Sequence, residues 1–203
     1  MDIITIYVEG DADEKFISDY IKFLFNKKLP NEQLEITGGW TKISSKSKGG
    51  ERIRNKIQKT TYNGGKNIVI FDADRNPQQR RTEIEEWKTK YELVFDLFLF
   101  PNNNDVGELE NLLEQIIPKE NAVVFECWQK YEECLTIKSK KALTIPAKKS
   151  KIYSYIETLV GTSNSEKEKI KDKNRDFLNK EHWQLDSTKL LPLKEFLEKY
   201  INK

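Results

Sequence analysis

The stretch IVIFDAD at residues 68–74 places two aspartates directly after a short, strongly apolar run. An apolar run of this length, preceded by the turn-forming pair Gly64-Gly65, is typical of a strand buried in a parallel sheet. In an extended segment alternate side chains point the same way. Asp72 and Asp74 are therefore expected to face one ion together.

Outward from this strand, apolar runs alternate with stretches of helical spacing. Strands are expected at residues 3–8, 34–37, 67–71 and 94–100, and helices at residues 12–26, 51–61, 78–91 and 105–117. Asp11 is expected to cap the first helix, with Glu14 completing a capping-box-like pair. The alternation predicts an α/β fold with a sheet of about four parallel strands flanked by helices.

The alternation stops after Pro118. Further helices are expected at residues 120–136, 150–160 and 188–201, separated by lysine-rich or polar loops. Residues 1–117 are therefore predicted to form the α/β domain, and residues 118–203 a helical C-terminal region packed on it.

Acidic side chains follow three of the predicted strands. They are Glu9 after the first strand, Asp72 and Asp74 after the third, and Asp105, Glu108 and Glu110 after the fourth. The carboxyl ends of parallel strands share one edge of a sheet, and ligands bind there. Because crowded carboxylates repel each other and hard cations prefer oxygen ligands, we expect a site for Mg²⁺, with Mn²⁺ as a substitute.

Each of these residues also has a structural interpretation. Glu9 could satisfy backbone donors at a helix N-terminus, and the acidic residues at 105–110 could be ordinary first-turn charges. Asp72 and Asp74 could cap a turn. Arg75 could stabilise charge in a transition state, or it could form an ion pair with a neighbouring carboxylate.

The charge of the chain is nearly balanced overall but uneven along its length. Residues 42–59 contain seven basic residues and one acidic residue, and residues 138–151 contain six lysines and no acidic residue. Such patches fit contact with a nucleic acid, although solvated surface lysines give the same pattern. The candidate phosphate contacts are Lys42, Lys46, Lys48, Arg52 and Arg54.

No apolar run approaches the roughly 18 residues that span a bilayer, and the first residues lack the basic start of a signal peptide. We therefore expect a cytoplasmic protein with no membrane partner. Cys127 and Cys134 are expected to be reduced thiols packed as small hydrophobic side chains. His182 is the only histidine, and no serine or cysteine can be tied to it as a catalytic triad, so a structural role is expected for it.

Two short motifs resemble those of Toprim domains. The sequence VEG at residues 8–10, followed by DEKF at residues 13–16, resembles the first Toprim motif, with its glutamate at the end of strand one. Residues 68–74 resemble the second motif, an apolar strand ending in Asp-x-Asp. The resemblance covers about the first half of the chain. Toprim domains occur in topoisomerases, bacterial primases, ribosomal-RNA maturases, recombination-repair proteins and the overcoming-lysogenization-defect (OLD) nucleases.

The resemblance implies metal-dependent phosphodiester chemistry on nucleic acid. It makes Glu9 a metal ligand or general acid–base, and Asp72 and Asp74 ligands of Mg²⁺. In OLD-type nucleases further acidic residues serve a second metal, and Asp105, Glu108 and Glu110 are the candidates here. The segment at residues 100–113 is also similar to small uncharacterised stand-alone Toprim families of bacteria. No Gly-x-x-x-x-Gly-Lys-Ser motif is present, so the ATPase half of an OLD-type nuclease acting in phage defence is expected to be absent or to lie on a partner chain.

Two functions of other classes stay open. The fold could serve as a non-catalytic module that binds nucleic acid or protein. A haloacid-dehalogenase-like phosphatase is the third possibility, since residues 71–74 could form its nucleophile motif. That motif normally follows the first strand, whereas here it follows the third predicted strand.

Overall fold

The computed structural model describes residues 4–137, 143–161 and 163–201. At its centre lies a parallel sheet with the strand order β2-β1-β3-β4. The strands are β1 (Ile4–Val8), β2 (Leu34–Ile36), β3 (Lys66–Asp72) and β4 (Asp96–Phe100). The predicted fold class, a four-stranded parallel sheet flanked by helices, is confirmed, and the arrangement is consistent with a Toprim-like fold.

Helices connect the strands and continue beyond the sheet. Within the described residues they are α1 (Asp11–Phe25), α2 (Trp40–Ser44), α3 (Lys48–Tyr62), α4 (Pro77–Lys90), α5 (Leu109–Glu114), α6 (Ala122–Ile137), α7 (Lys148–Val160), α8 (Asn164–Ile170) and α9 (Leu191–Glu198). Among the described residues, no helix combines the length and the apolar character that a membrane crossing requires.

The strand register brings two of the acidic residues to the same edge. Val8 lies opposite Ile70 of the neighbouring strand, and Asp72 lies opposite Phe100 on the other side. Glu9 follows Val8 directly, so it leaves the sheet beside the end of β3. The two central strands therefore deliver Glu9 and Asp72 to one edge, as the parallel arrangement predicts.

The two faces of the sheet are covered by different elements. Ile6 and Ile70 belong to a core shared with α1, α7 and α9, whereas Tyr7 and Val69 belong to a second core shared with α3 and α4. This alternation follows from the two-residue period of a strand, which sends successive side chains to opposite faces. Both faces are buried, and so the strands consist of nearly continuous apolar runs.

The C-terminal region completes the first of these cores. The ring of Phe177 lies 5.2 Å from that of Phe16 on α1, and the ring of Phe196 lies 5.3 Å from that of Phe98 on β4. The buried carboxylate of Asp19 accepts a hydrogen bond of 3.0 Å from the backbone N–H of Phe177. The C-terminal residues thus cover one face of the sheet, while the division of the chain at residue 117 stays a prediction.

Three local predictions were wrong. The helix predicted at residues 105–117 spans only Leu109–Glu114. The side chain of Asn102 accepts a hydrogen bond of 2.8 Å from the backbone N–H of Asp105, and this bond stabilises a turn where the helix was expected to begin. The first helix has Gly10 at its N-cap instead of Asp11. Both cysteines are free, but they are exposed instead of packed.

Candidate functional site

Six carboxylates line one cleft of about 390 Å³ at the carboxyl ends of β1 and β3, which we call the acidic cleft. They are Glu9, Asp11, Asp13, Asp72, Glu108 and Glu110. The backbone of Gly38 and Gly39 forms part of the wall, and Lys148 and Lys149 at the start of α7 lie at its border. The cleft therefore combines side chains from the sheet edge, from α1, from the start of α5 and from the C-terminal region.

Glu9 is held between the two central strand ends and the loop after β2. Its Oε1 accepts a hydrogen bond of 3.1 Å from the backbone N–H of Asp72. Gly39 has a φ of 95°, and a Cβ at this position would lie 3.3 Å from Glu9 Oε2. A glycine here permits both the left-handed backbone and the close approach to the carboxylate. Burial raises the pKa of Glu9.

Asp72 lies at the centre of the acidic cleft. Its Oδ1 accepts a hydrogen bond of 3.0 Å from the backbone N–H of Leu109, the first residue of α5. Burial, followed by repulsion from Asp13, Glu9 and Glu110, raises the pKa of Asp72 well above its ordinary value. The protein therefore keeps this carboxylate in a place where its charged form is destabilised, which is typical of functional sites.

Asp13 is a buried acidic residue of the cleft that the sequence analysis did not single out as a site residue. It lies on the first turn of α1 and is only 8% exposed, and its Oδ2 accepts a hydrogen bond of 2.9 Å from the backbone N–H of Gly10. Burial, with added repulsion from Glu9 and Glu110, raises its pKa to about 7. Its place in the cleft follows from its position as the third residue of α1, where a side chain can reach back to the backbone N–H of the N-cap residue, here Gly10.

Glu108 and Glu110 approach the cleft from the start of α5. Burial raises the pKa of Glu110, and repulsion from Glu108 adds to this effect. Glu108 Oε1 lies 3.5 Å from Nζ of Lys148. Both residues predicted from the sequence thus line the acidic cleft, with a cation from α7 beside them.

Asp74 and Arg75 line a neighbouring cleft of about 360 Å³, with Glu108 on the border between the two clefts. Asp74 has a φ of 52° and forms an ion pair with Arg80 of α4. Because its backbone is left-handed and not extended, the alternation that would align it with Asp72 does not hold. Asp74 still lies close enough to raise the pKa of Glu9 by charge repulsion.

Asp105 lies apart from both clefts. Its side chain is exposed, and Oδ2 accepts a hydrogen bond of 2.7 Å from the side-chain amide of Asn102. It lines neither the acidic cleft nor the cleft of Asp74. The structure therefore brings together Glu9, Asp72, Glu108 and Glu110, but not Asp105.

The chemistry of the acidic cleft suits a hard cation, although its side chains do not form a ready-made ligand cluster. Its carboxylate oxygens are the ligands that Mg²⁺ and Mn²⁺ prefer, and a cation would relieve the repulsion that raises their pKa values. No three His, Cys, Asp or Glu side chains lie close enough to hold a metal within the described parts of the chain. Coordination would therefore require some of these carboxylates to move closer together.

A protein family described as "Protein of unknown function (DUF3226)" matches residues 4–202. The chain belongs to the DUF3226 family. Searches of curated proteins and of solved structures found no significant match. The matched region includes every residue of the acidic cleft and the whole described C-terminal region.

The predicted phosphate contacts of this DUF3226 protein fall into two groups. Arg52 pairs with Glu35 at 2.5 Å, and Arg54 donates to the backbone carbonyl of Ser45 at 3.2 Å, so both have structural partners. The other three are exposed and have no ion pair among the described residues: Lys42, Lys46 and Lys48, which we call the lysine cluster. The lysines at 138, 140 and 141 lie outside the described residues.

An ion-pair chain leads from the acidic cleft of the DUF3226 protein into its C-terminal region. Nζ of Lys149 lies 2.5 Å from Oδ2 of Asp172, and Nη2 of Arg175 lies 3.0 Å from Oδ1 of the same carboxylate. These residues are far from Glu9 in sequence, and no spacing pattern could link them to it.

Proposed function

We propose that this DUF3226 protein is a Mg²⁺-dependent phosphodiesterase that cleaves nucleic acid, a nuclease of the Toprim or OLD type. The observation that carries the proposal is the acidic cleft, where Glu9, Asp13, Asp72 and Glu110 all have raised pKa values at the carboxyl edge of a parallel sheet. Carboxylates with a purely structural role are usually paired with cations. The carboxylates of the acidic cleft instead accept hydrogen bonds mainly from backbone N–H groups, and they line an open cleft.

The residues of the acidic cleft can be given roles in phosphodiester hydrolysis. Asp72 and Glu9, supported by Asp13 and Glu110, would hold Mg²⁺, which when bound would neutralise charge on the phosphate. Glu9, whose pKa burial raises, is the candidate acid–base group for the attacking water or the leaving oxygen. Arg75 and Arg80 are cations beside the cleft of Asp74, where they would stabilise negative charge on an adjacent phosphate.

The lysine cluster supports a nucleic acid as the substrate. Lys42 packs against Gly38, whose backbone lines the acidic cleft, since a Cβ on Gly38 would lie 2.8 Å from Lys42 Cδ. If phosphodiesters are cleaved in the acidic cleft, exposed lysines beside it would bind the neighbouring phosphates of the same strand. An ATPase partner chain, a role in phage defence and a cytoplasmic location are parts of the same proposal that depend on the Toprim resemblance.

The test is cleavage of a mixed panel of single- and double-stranded DNA and RNA in Mg²⁺, in Mn²⁺ and in EDTA. Asp72→Asn should lower the cleavage rate by about 100-fold or more, because it removes an anionic oxygen ligand that would hold Mg²⁺ beside the phosphate. Asp105→Asn is the matched control, since it removes the same charge from an exposed side chain outside both clefts. Full activity of Asp72→Asn, or cleavage that persists in EDTA, would contradict the proposal.

A non-catalytic binding module is the second candidate function. The ion pair between Asp74 and Arg80 favours it, because that pair occupies a carboxylate expected to bind metal. A module of this kind would bind nucleic acid or protein equally well with and without Mg²⁺ and would cleave nothing. Hydrolysis of p-nitrophenyl phosphate without cleavage of nucleic acid would instead favour the phosphatase.

A further inference from the structure

A third cavity, of about 380 Å³, lies between α7 and the segment that follows α8, and we call it the C-terminal pocket. It shares no lining residue with the acidic cleft or with the cleft of Asp74. Its volume is in the range of pockets that hold small organic molecules. The nuclease chemistry proposed above uses none of its residues.

A buried cation lies in the wall of this pocket. Arg175 is 2% exposed, and its guanidinium packs near the rings of Tyr153 and Phe177 at 5.3 and 5.8 Å. Asp172 accepts from Nη2 at 3.0 Å, but Nε has no hydrogen-bond partner among the described residues. A buried donor without an acceptor is costly, and a turn of the guanidinium toward the pocket would let a ligand oxygen supply the acceptor.

The rest of the lining defines the chemistry of the ligand. Lys169 adds a second cation from an exposed position on α8, while Leu159 and Val160 form a half-buried apolar wall at the end of α7. Asn179 and His182, which lie 3.3 Å apart, add polar groups. Asp176 is the one carboxylate among the lining residues of the pocket.

We propose that the C-terminal pocket binds a small organic anion, in which a phosphate or carboxylate group is attached to an apolar body. Arg175 and Lys169 contact the anionic group, and Leu159 and Val160 contact the apolar body. With the ion-pair partners Asp172 and Lys149 included, three cations stand against two carboxylates, and this net positive charge favours an anion over a cation. The apolar wall favours an organic anion over inorganic phosphate, because burying apolar surface adds to the affinity.

The test is calorimetric titration of the full chain with phenylphosphonate, an organic anion that a phosphodiesterase does not hydrolyse. EDTA is present throughout, so that no metal in the acidic cleft can bind the probe. Methylphosphonate tests the anionic group alone, and benzyl alcohol tests the aromatic group alone. Phenylphosphonate should bind at least about tenfold more tightly than either control, a difference of about 1.4 kcal/mol.

Variants then locate the binding. Lys169→Gln should weaken binding by about three- to tenfold, whereas Lys167→Gln on the same helix, which does not line the pocket, should bind like the wild type. Val160→Phe should abolish binding by filling the cavity, and its thermal unfolding checks that it folds. If Arg175→Gln folds, its affinity for phenylphosphonate is measured in the same titration. If it does not fold, the affinities of Lys169→Gln and Val160→Phe test the proposal.

The proposal is overturned if phenylphosphonate does not bind, or if it binds no more tightly than methylphosphonate. It is also overturned if Lys169→Gln and Val160→Phe both bind like the wild type. Because no metal and no nucleic acid are present, failure here leaves the proposed nuclease activity untouched. Loss of cleavage in the acidic-cleft variants likewise leaves this pocket untouched.

Discussion

Replacing Asp13 with asparagine should stabilise the metal-free protein, and the gain should grow as the pH rises. Asparagine has nearly the same shape and keeps an oxygen for the Gly10 N–H, which the aspartate accepts at 2.9 Å. It cannot ionise, so it avoids both the burial of a charge and the repulsion from Glu9 and Glu110. The substitution therefore tests whether the negative charges of the acidic cleft destabilise the folded protein.

The magnitude follows from the raised pKa of Asp13. Its pKa is 3.8 in the unfolded reference and about 7 in the folded protein, so the folded state binds more protons between these values. Stability is therefore lost as the pH rises through this window. Between pH 5 and the folded pKa, about two pH units, the wild type loses about 1.36 kcal/mol of unfolding free energy per unit. The stability gain from Asp13→Asn should therefore be about 3 kcal/mol larger at pH 8 than at pH 5.

The assay is urea unfolding in EDTA at pH 5 and pH 8, comparing the midpoints and slopes of the wild type and the variant. Asp105→Asn serves as the control, because it removes the same charge from an exposed position and should show no such pH-dependent gain. If Asp13→Asn changed stability equally at both pH values, the pKa of Asp13 would not be raised in the folded protein.

Three further outcomes are expected. Gly39→Ala should lower both stability and cleavage rate, because its Cβ would crowd Glu9, whereas Gly64→Ala has a similar left-handed φ with nothing within 4 Å and should cost about 1 kcal/mol without affecting cleavage. Replacing the whole lysine cluster with glutamine should weaken nucleic-acid binding, and the slope of log affinity against log salt concentration should become shallower by about 0.9 for each phosphate that is no longer neutralised. Arg52→Gln should change binding little. Equal salt slopes for the wild type and the lysine variant would show that the lysine cluster does not contact the nucleic acid. Trp183→Ala should destabilise the protein by about 3–5 kcal/mol in urea unfolding, because its side chain is 1% exposed in the main core, and a loss below about 1 kcal/mol would contradict that packing.

The parts of the molecule that could be predicted are those set by local patterns. The buried strands are nearly continuous apolar runs, and the edge that gathers Glu9 and Asp72 follows from the parallel arrangement of β1 and β3. Glu108 and Glu110 reach the same cleft because α5 begins beside the carboxyl end of β3, where Leu109 donates to Asp72.

The parts that could not be predicted depend on backbone conformation and on contacts between distant segments. The left-handed φ of Asp74 turns its carboxylate toward Arg80, and nothing in the Asp-x-Asp spacing indicates this. Asp13 becomes a cleft residue only because α1 starts directly after Gly10, close to the end of β1. Lys148 and Lys149 reach the cleft only after the C-terminal region has folded back over the sheet.

The hydrogen bond from Phe177 N–H to Asp19 has a consequence for how the chain can be shortened. A protein cut after residue 117 would leave the buried carboxylate of Asp19 without this donor and would bare the apolar faces of Phe16 and Phe98 to water. Such a fragment would be prone to aggregate, because the exposed aromatic surface would have no substitute partner. The sheet and the helices after residue 118 should therefore melt together, in a single cooperative transition.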